Sequence, residues 1–215
     1  MPAIFPRWIN SVPIALALGF PAFVATVIGS VWYWASPKFT DAGYQPEQPV
    51  PFSHRLHAGE MGLDCRYCHN TVDRAAVAAI PPTKTCMNCH TLVKPDSEKL
   101  APVRESAQTG ESIKWSRVHM LPDYAYFDHG PHVAAGVGCN ECHGRIDQMD
   151  VVEQKKPLSM HWCLECHRDF EPRLRPLDQV TNLGWSGHYD PRSDPNRERP
   201  VDELKPPLHC SGCHR

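Results

Sequence analysis

The chain has 215 residues, with 22 Lys and Arg against 24 Asp and Glu, a formal charge of −2 and 41% hydrophobic residues. That balance excludes the basic surface a nucleic-acid partner would require. Ten cysteines and 13 histidines are a heavy load for a chain of this length, and they direct the reading toward metal or redox chemistry.

The N-terminal element comes first. From Trp8 to Pro37 no residue is charged, and residues 12–35 form an expected transmembrane helix, since about 20 residues cross a bilayer. Trp32, Tyr33 and Trp34 at one end, with Phe5 and Trp8 near the other, suit the two interfaces. A cleaved signal peptide would have a shorter apolar core and a small-residue cleavage site; here the run is longer and ends on aromatics. Pro21 is tolerable where a kink or a neighbouring helix satisfies the freed carbonyl. Arg7 favours a cytoplasmic N-terminus over residues 1–11, which leaves the rest of the chain outside. Ala15/Gly19 and Ala25/Gly29 are small-residue spacings at which another helix could pack closely.

Residues 36–50 read as a linker without apolar periodicity, and residues 51–215 as an exported domain. Within it the ten cysteines fall only as Cys65-x-x-Cys68-His69, Cys86-x-x-Cys89-His90, Cys139-x-x-Cys142-His143, Cys163-x-x-Cys166-His167 and Cys210-x-x-Cys213-His214. This is the attachment signature of c-type haem: two thiols add to the two vinyl groups of one porphyrin, and the next residue lies beneath the iron. Disulfides would not leave a histidine after every pair. Zinc sites combine pairs into fours, so five pairs leave one over. A thioredoxin-like box would occur once, within a βαβ pattern. The expectation is five covalently bound haem c groups, with His69, His90, His143, His167 and His214 as proximal ligands. With so many haems in so short a domain, short helices and long loops with very little sheet are expected.

A repeat runs through the domain. Phe52-x-His54-x-x-His57 precedes Cys65, and Phe127-x-His129-x-x-His132 precedes Cys139, with a further box following each time. Units 52–90 and 127–167 thus read as two dihaem modules, followed by a fifth haem at 210–214. Residues 168–209, rich in proline, read as an ordered strap.

Electron-transfer haems usually have a second axial ligand, His or Met. Histidines at i and i+3 share one face of a helical turn, yet one iron cannot take both on one side. Each pair is therefore expected to clamp two haems, with His54 on the haem of Cys65 and Cys68 and His57 on a neighbour, and likewise His129 and His132. His119 is the expected fifth distal ligand, with Met149 or Met160 possible in place of one His. His161, His188 and His209 are expected to have no ligand role.

The stretches YQPEQPVPFSHRLHAGEMGLDCRYCHN (44–70), VHMLPDYAYFDHGPHVAAGVGCNECHG (118–144) and PLSMHWCLECHR (157–168) resemble the pentahaem cytochrome c subunits of alternative complex III. The resemblance implies a mostly α or irregular, class III-like multihaem domain on one membrane anchor, at the periplasmic face of a bacterial cytoplasmic membrane. It implies partners too: a large iron–sulfur subunit, quinol-binding integral membrane subunits, and a soluble acceptor or terminal oxidase. In that family the pentahaem subunit is a wire and holds no quinol site. A second reading is a stand-alone, membrane-anchored multihaem quinol dehydrogenase feeding a periplasmic reductase. A third, a multihaem reductase, would need a haem without a distal ligand, against a surplus of histidines.

Overall fold

The structure, a computed structural model, describes residues 5–214 apart from the side chain of Thr40; the first four residues of the expected N-terminal segment lie outside the described ones. A 3-10 turn, Arg7–Ser11, leads into helix α1, Val12–Trp34. Its 23 residues span about 35 Å at 1.5 Å each. Within Arg7–Trp34 the mean hydropathy reaches 2.1, and this is the one described helix long and apolar enough to cross a membrane. Its apolar side chains point outward all round, and none is buried against the rest of the chain. At its end Trp34 meets Phe39 edge to face at 4.4 Å, where the short helix α2, Pro37–Thr40, turns the chain away.

Beyond α2 the chain is a set of short helices joined by long loops. They are α3 (Cys65–Cys68), α4 (Thr83–His90), α5 (Ala101–Thr109), α6 (His129–Ala134), α7 (Cys139–His143) and α8 (Met160–Arg168). There is no β-strand among the described residues; two isolated antiparallel bridges, Ala125 with His214 and Val137 with Leu174, are the only sheet-like pairings described. The local causes are legible. Asp64 caps α3 by accepting from Arg66 N at 2.8 Å, and Asp128 caps α6 by accepting from Gly130 N at 2.9 Å. Gly110, at φ +77°, ends α5 in the left-handed conformation.

The first His pair sits at a π-helical turn, Arg55–Glu60, with His54 capping it and His57 within it, a rare widening that recurs at functional sites. Here Met61 N donates to Leu56 O and Leu63 N to His57 O, both at 3.0 Å. This turn docks on the segment that follows the third box: Arg55 N donates to Met149 O at 2.9 Å and Ser53 Oγ to Asp150 at 2.7 Å. The second His pair does the converse. His129 N and Nδ1 both reach Ala76 O, in the segment that follows the first box. Each histidine pair is thus anchored on the loop of the other half.

Few apolar side chains hold this assembly. Among the described residues the buried ones are Val50, Val103, Met149, Leu174, Val180, Leu183 and Val201, and three of them lie in 174–183. There the chain runs beside the third box. Arg175 N donates to Gly136 O at 2.9 Å and Cys139 N to Val180 O at 3.1 Å. Thr181 Oγ1 donates to Asp64 at 2.7 Å, so one short stretch ties the third box to the cap of the first. The 168–209 segment is therefore ordered on its own domain.

Candidate functional site

Each of the first four boxes is a helical turn (α3, the end of α4, α7 and the body of α8), and the fifth is a 3-10 turn, Cys210–Gly212. A helical turn sets residues i and i+3 on one face, so two thiols with the following histidine form one edge. None of the ten cysteines is paired in a disulfide.

The two Phe-x-His-x-x-His segments share one local geometry. Phe52 lies 4.8 Å from His54 at 86°, and Phe127 lies 4.7 Å from His129 at 85°. The second histidines pack flatter on the same rings, at 4.4 Å for His57 and 4.6 Å for His132. In both segments the phenylalanine wedges the two imidazoles apart.

Those imidazoles face box histidines at a consistent spacing. Ring centroids are 6.2 Å apart for His57 and His90, 6.3 Å for His129 and His143, and 6.1 Å for His132 and His167. Two imidazoles bound on opposite sides of one iron, at metal–nitrogen bonds of about 2.0 Å, have centroids roughly 6 Å apart. His54 stands beside His69, close enough to feel its charge. His57 therefore meets the second box, whereas the first pair lies just before the first.

The outer nitrogens fix the tautomers. Nδ1 donates to a main-chain carbonyl in His57 (Ser53 O, 2.8 Å), His129 (Ala76 O, 2.7 Å) and His132 (Asp128 O, 2.7 Å). The same holds for His69 (Ala79 O, 2.8 Å), His90 (Val93 O, 2.9 Å), His167 (Pro207 O, 2.8 Å) and His214 (Tyr124 O, 3.0 Å). A carbonyl only accepts, so Nδ1 carries the proton and Nε2 keeps the lone pair a metal needs. Burial drives the His54 and His119 pKa values down to about 4 and that of His143 to about 3, the neighbouring imidazoles adding to the effect. At neutral pH these rings are uncharged, the state that ligates.

His54 Nδ1 is buried without a hydrogen-bond partner. Together with the facing imidazole pairs, the paired thiols and the sparse apolar core, this shows that the residues present fit covalently attached haem c. Among the described residues no group of three or more His, Cys, Asp or Glu is arranged to hold a bare metal ion.

The other expected ligands are placed differently. His119 Nε2 lies 3.3 Å from Nδ1 of His143, the rings edge to face at 4.3 Å. Met149 is buried, and its carbonyl receives Arg55 N. Met160 is 66% exposed. His161, His188 and His209 lie at the surface.

The boxes adjoin one another in series. Tyr67 of the first box accepts from Asn88 of the second at 3.1 Å, and the Cys86 charge raises the Cys68 pKa after burial has done so. Cys65 and Cys139 of the first and third boxes lie close enough for each to shift the other, Cys65 down and Cys139 up. Burial lifts Cys142 to about 12, and Cys166 and Cys163 of the fourth box add to the shift. Cys163 in turn feels Cys213 of the fifth. The order is second, first, third, fourth, fifth. Cys89 and Cys210, the exposed cysteines, belong to the two end boxes.

Sequence reasoning missed Arg175. Its side chain is 3% exposed and donates to Asn140 Oδ1 at 2.6 Å and Asn182 O at 3.0 Å, near Glu141 at 3.3 Å, with the guanidinium over the Trp185 ring at 5.3 Å. It occupies the space where a Cβ on Gly138 would stand, 2.1 Å from Arg175 Cζ. The glycine directly before the third box was the available signal of a close approach.

Comparison with known proteins agrees with this geometry. Residues 34–114 match the class III cytochrome c family, a range holding the first His pair and the first two boxes. Over 125 residues the chain is 34% identical to the multihaem cytochrome c subunit of menaquinone reductase from Nitratidesulfovibrio vulgaris. That alignment covers 57% of this chain and 58% of the relative, so the chain spans less than two thirds of that protein's length.

Proposed function

We propose that this chain, matched over residues 34–114 by the class III cytochromes c, is a membrane-anchored electron-transfer subunit carrying five covalently attached haem c groups. The carrying observation is the serial packing of the five boxes, with a facing histidine spaced for an axial pair at three of them. When bound, haem iron supplies one-electron redox chemistry. The chain's own residues do the rest. The cysteine pairs attach; His69, His90, His143, His167 and His214 are the proximal ligands; His54, His57, His129 and His132 are distal. Carbonyls on Nδ1 hold seven of these nine rings in the ligating tautomer, all but His54 and His143.

Helix α1 is the anchor, and its uniformly apolar surface suits lipid or partner helices. The motifs at 44–70, 118–144 and 157–168 favour a place in an alternative complex III, at the outer face of a bacterial cytoplasmic membrane. There the partners are an iron–sulfur subunit and quinol-binding membrane subunits, and electrons leave to a soluble carrier or a terminal oxidase. The chain itself is then a relay and no enzyme. The relative's name gives a second reading, electron flow toward menaquinone.

An EPR-monitored redox titration of the purified complex tests the relay: the haems of the first four boxes, each with a facing histidine, are expected to be low-spin. A high-spin, CO-binding haem at any of those four would overturn it. The proteins that copurify, together with quinol-driven haem reduction measured with and without them, decide between a complex subunit and a stand-alone dehydrogenase. Reduction of haem by quinol faster than its reoxidation by quinone supports outward flow.

A further inference from the structure

We infer that His119 is a positioning residue for the third box, acting on the back of His143, and not the fifth distal ligand. The inference rests on the relay reading above.

The contrast among the five box histidines carries it. Four of them place Nδ1 on a main-chain carbonyl, those of Ala79, Val93, Pro207 and Tyr124. In His143 alone among the five, Nδ1 meets a side chain, the Nε2 of His119 at 3.3 Å. The other face of His143 looks toward His129, 6.3 Å away and nearly parallel at 7°. Both nitrogens of His143 are thereby assigned: Nδ1–H donates to His119, and Nε2 is left for iron. His119 spends its own Nε2 as the acceptor, the nitrogen a distal ligand would use.

The chemistry of that acceptor differs from a carbonyl's. An imidazole nitrogen is a stronger base than an amide oxygen, so it draws the Nδ1 proton further and makes His143 a stronger donor to a metal. A stronger donor favours the oxidised metal. The third box is the middle of the series, beside both the first and the fourth. His119 thus sets the middle of the relay lower in potential than a carbonyl partner would. Unlike the carbonyls, it is open to substitution.

The test uses the intact complex at one fixed pH, with His119→Ala, His119→Gln and His129→Ala. The marker is His129→Ala, whose missing low-spin signal identifies the third-box haem. Expected for His119→Ala is the full wild-type number of low-spin signals, with an upward shift in the midpoint potential of that one haem. His119→Gln, which restores a weaker acceptor, should return part of the shift. Loss of a low-spin signal in His119→Ala, with a new CO-binding haem, overturns the inference. So does an unchanged set of potentials, or a shift confined to another haem. If His119→Ala fails to assemble, His119→Gln decides alone: a potential shifted at the marked haem with all signals kept supports the inference, and any other result overturns it. A wild-type complex with fewer than four low-spin haems would defeat the relay reading instead.

Discussion

At Gly59 an added Cβ would stand 2.2 Å from the carbonyl oxygen of Asp147. The π-helical turn carrying His57 rests there on the backbone of the other half, and only glycine permits that approach. Gly59→Ala must push the two apart, and a loss of about 1–3 kcal/mol is expected from overpacking of this kind, read as a lower thermal midpoint. His57 gives a sharper spectroscopic outcome. Its ring faces His90 at 6.2 Å, so His57→Ala should disturb the haem on Cys86 and Cys89 and spare the one on Cys65 and Cys68. A change confined to the first haem would refute the clamp. A buried imidazole also sets a pH dependence. With a folded pKa near 4, below the ordinary 6.5, His119 binds fewer protons folded than unfolded. Its contribution is full above pH 6.5 and is lost as pH falls toward 4. Denaturant midpoints measured across that window should fall with pH.

Among elements, the 168–209 segment shows what the sequence carried and what it did not. The Cys-x-x-Cys-His boxes and the paired histidines were legible because covalent haem attachment and axial ligation, the roles proposed for them, require fixed spacings. α1 was legible because a bilayer demands an uninterrupted apolar length. The strap has no such period, and its Leu174, Val180 and Leu183 are buried by contacts with residues far away in sequence. His119 was legible as a histidine near the second pair, but its partner His143 lies 24 residues on, and no spacing rule announces a hydrogen bond between two side chains. Arg175 is the strap's pin. Arg175→Met would take the buried partner from Asn140 and Glu141, although Glu141 keeps Arg173 at 3.5 Å, and a loss of about 1–3 kcal/mol is expected from the orphaned polar groups. Limited proteolysis should then cut within 174–209 well before the boxes, whereas the unsubstituted strap resists.

Across the whole molecule the boxes form a line with two ends. The second box exposes Cys89, with Leu92 86% accessible close by; the fifth exposes Cys210, beside Leu208. Partners that exchange electrons with the relay are expected at those ends, and the third box is the bottleneck between them. In the assembled complex, His129→Ala should leave the centres on the donor side rapidly reducible and slow the arrival of electrons at the far end. Stopped-flow spectrophotometry separates the two; equal slowing on both sides would show that the line is not the path.

The reciprocal anchoring of the two histidine pairs has a consequence for biogenesis. His129 reaches Ala76 across 53 residues and Arg55 reaches Asp150 across 95. Contacts of such separation form late and slowly. As the chain emerges N-terminus first, the first pair must wait for a loop not yet delivered. On the haem-bearing reading proposed above, the first two boxes would stay open to haem attachment until the second half arrives to close on them.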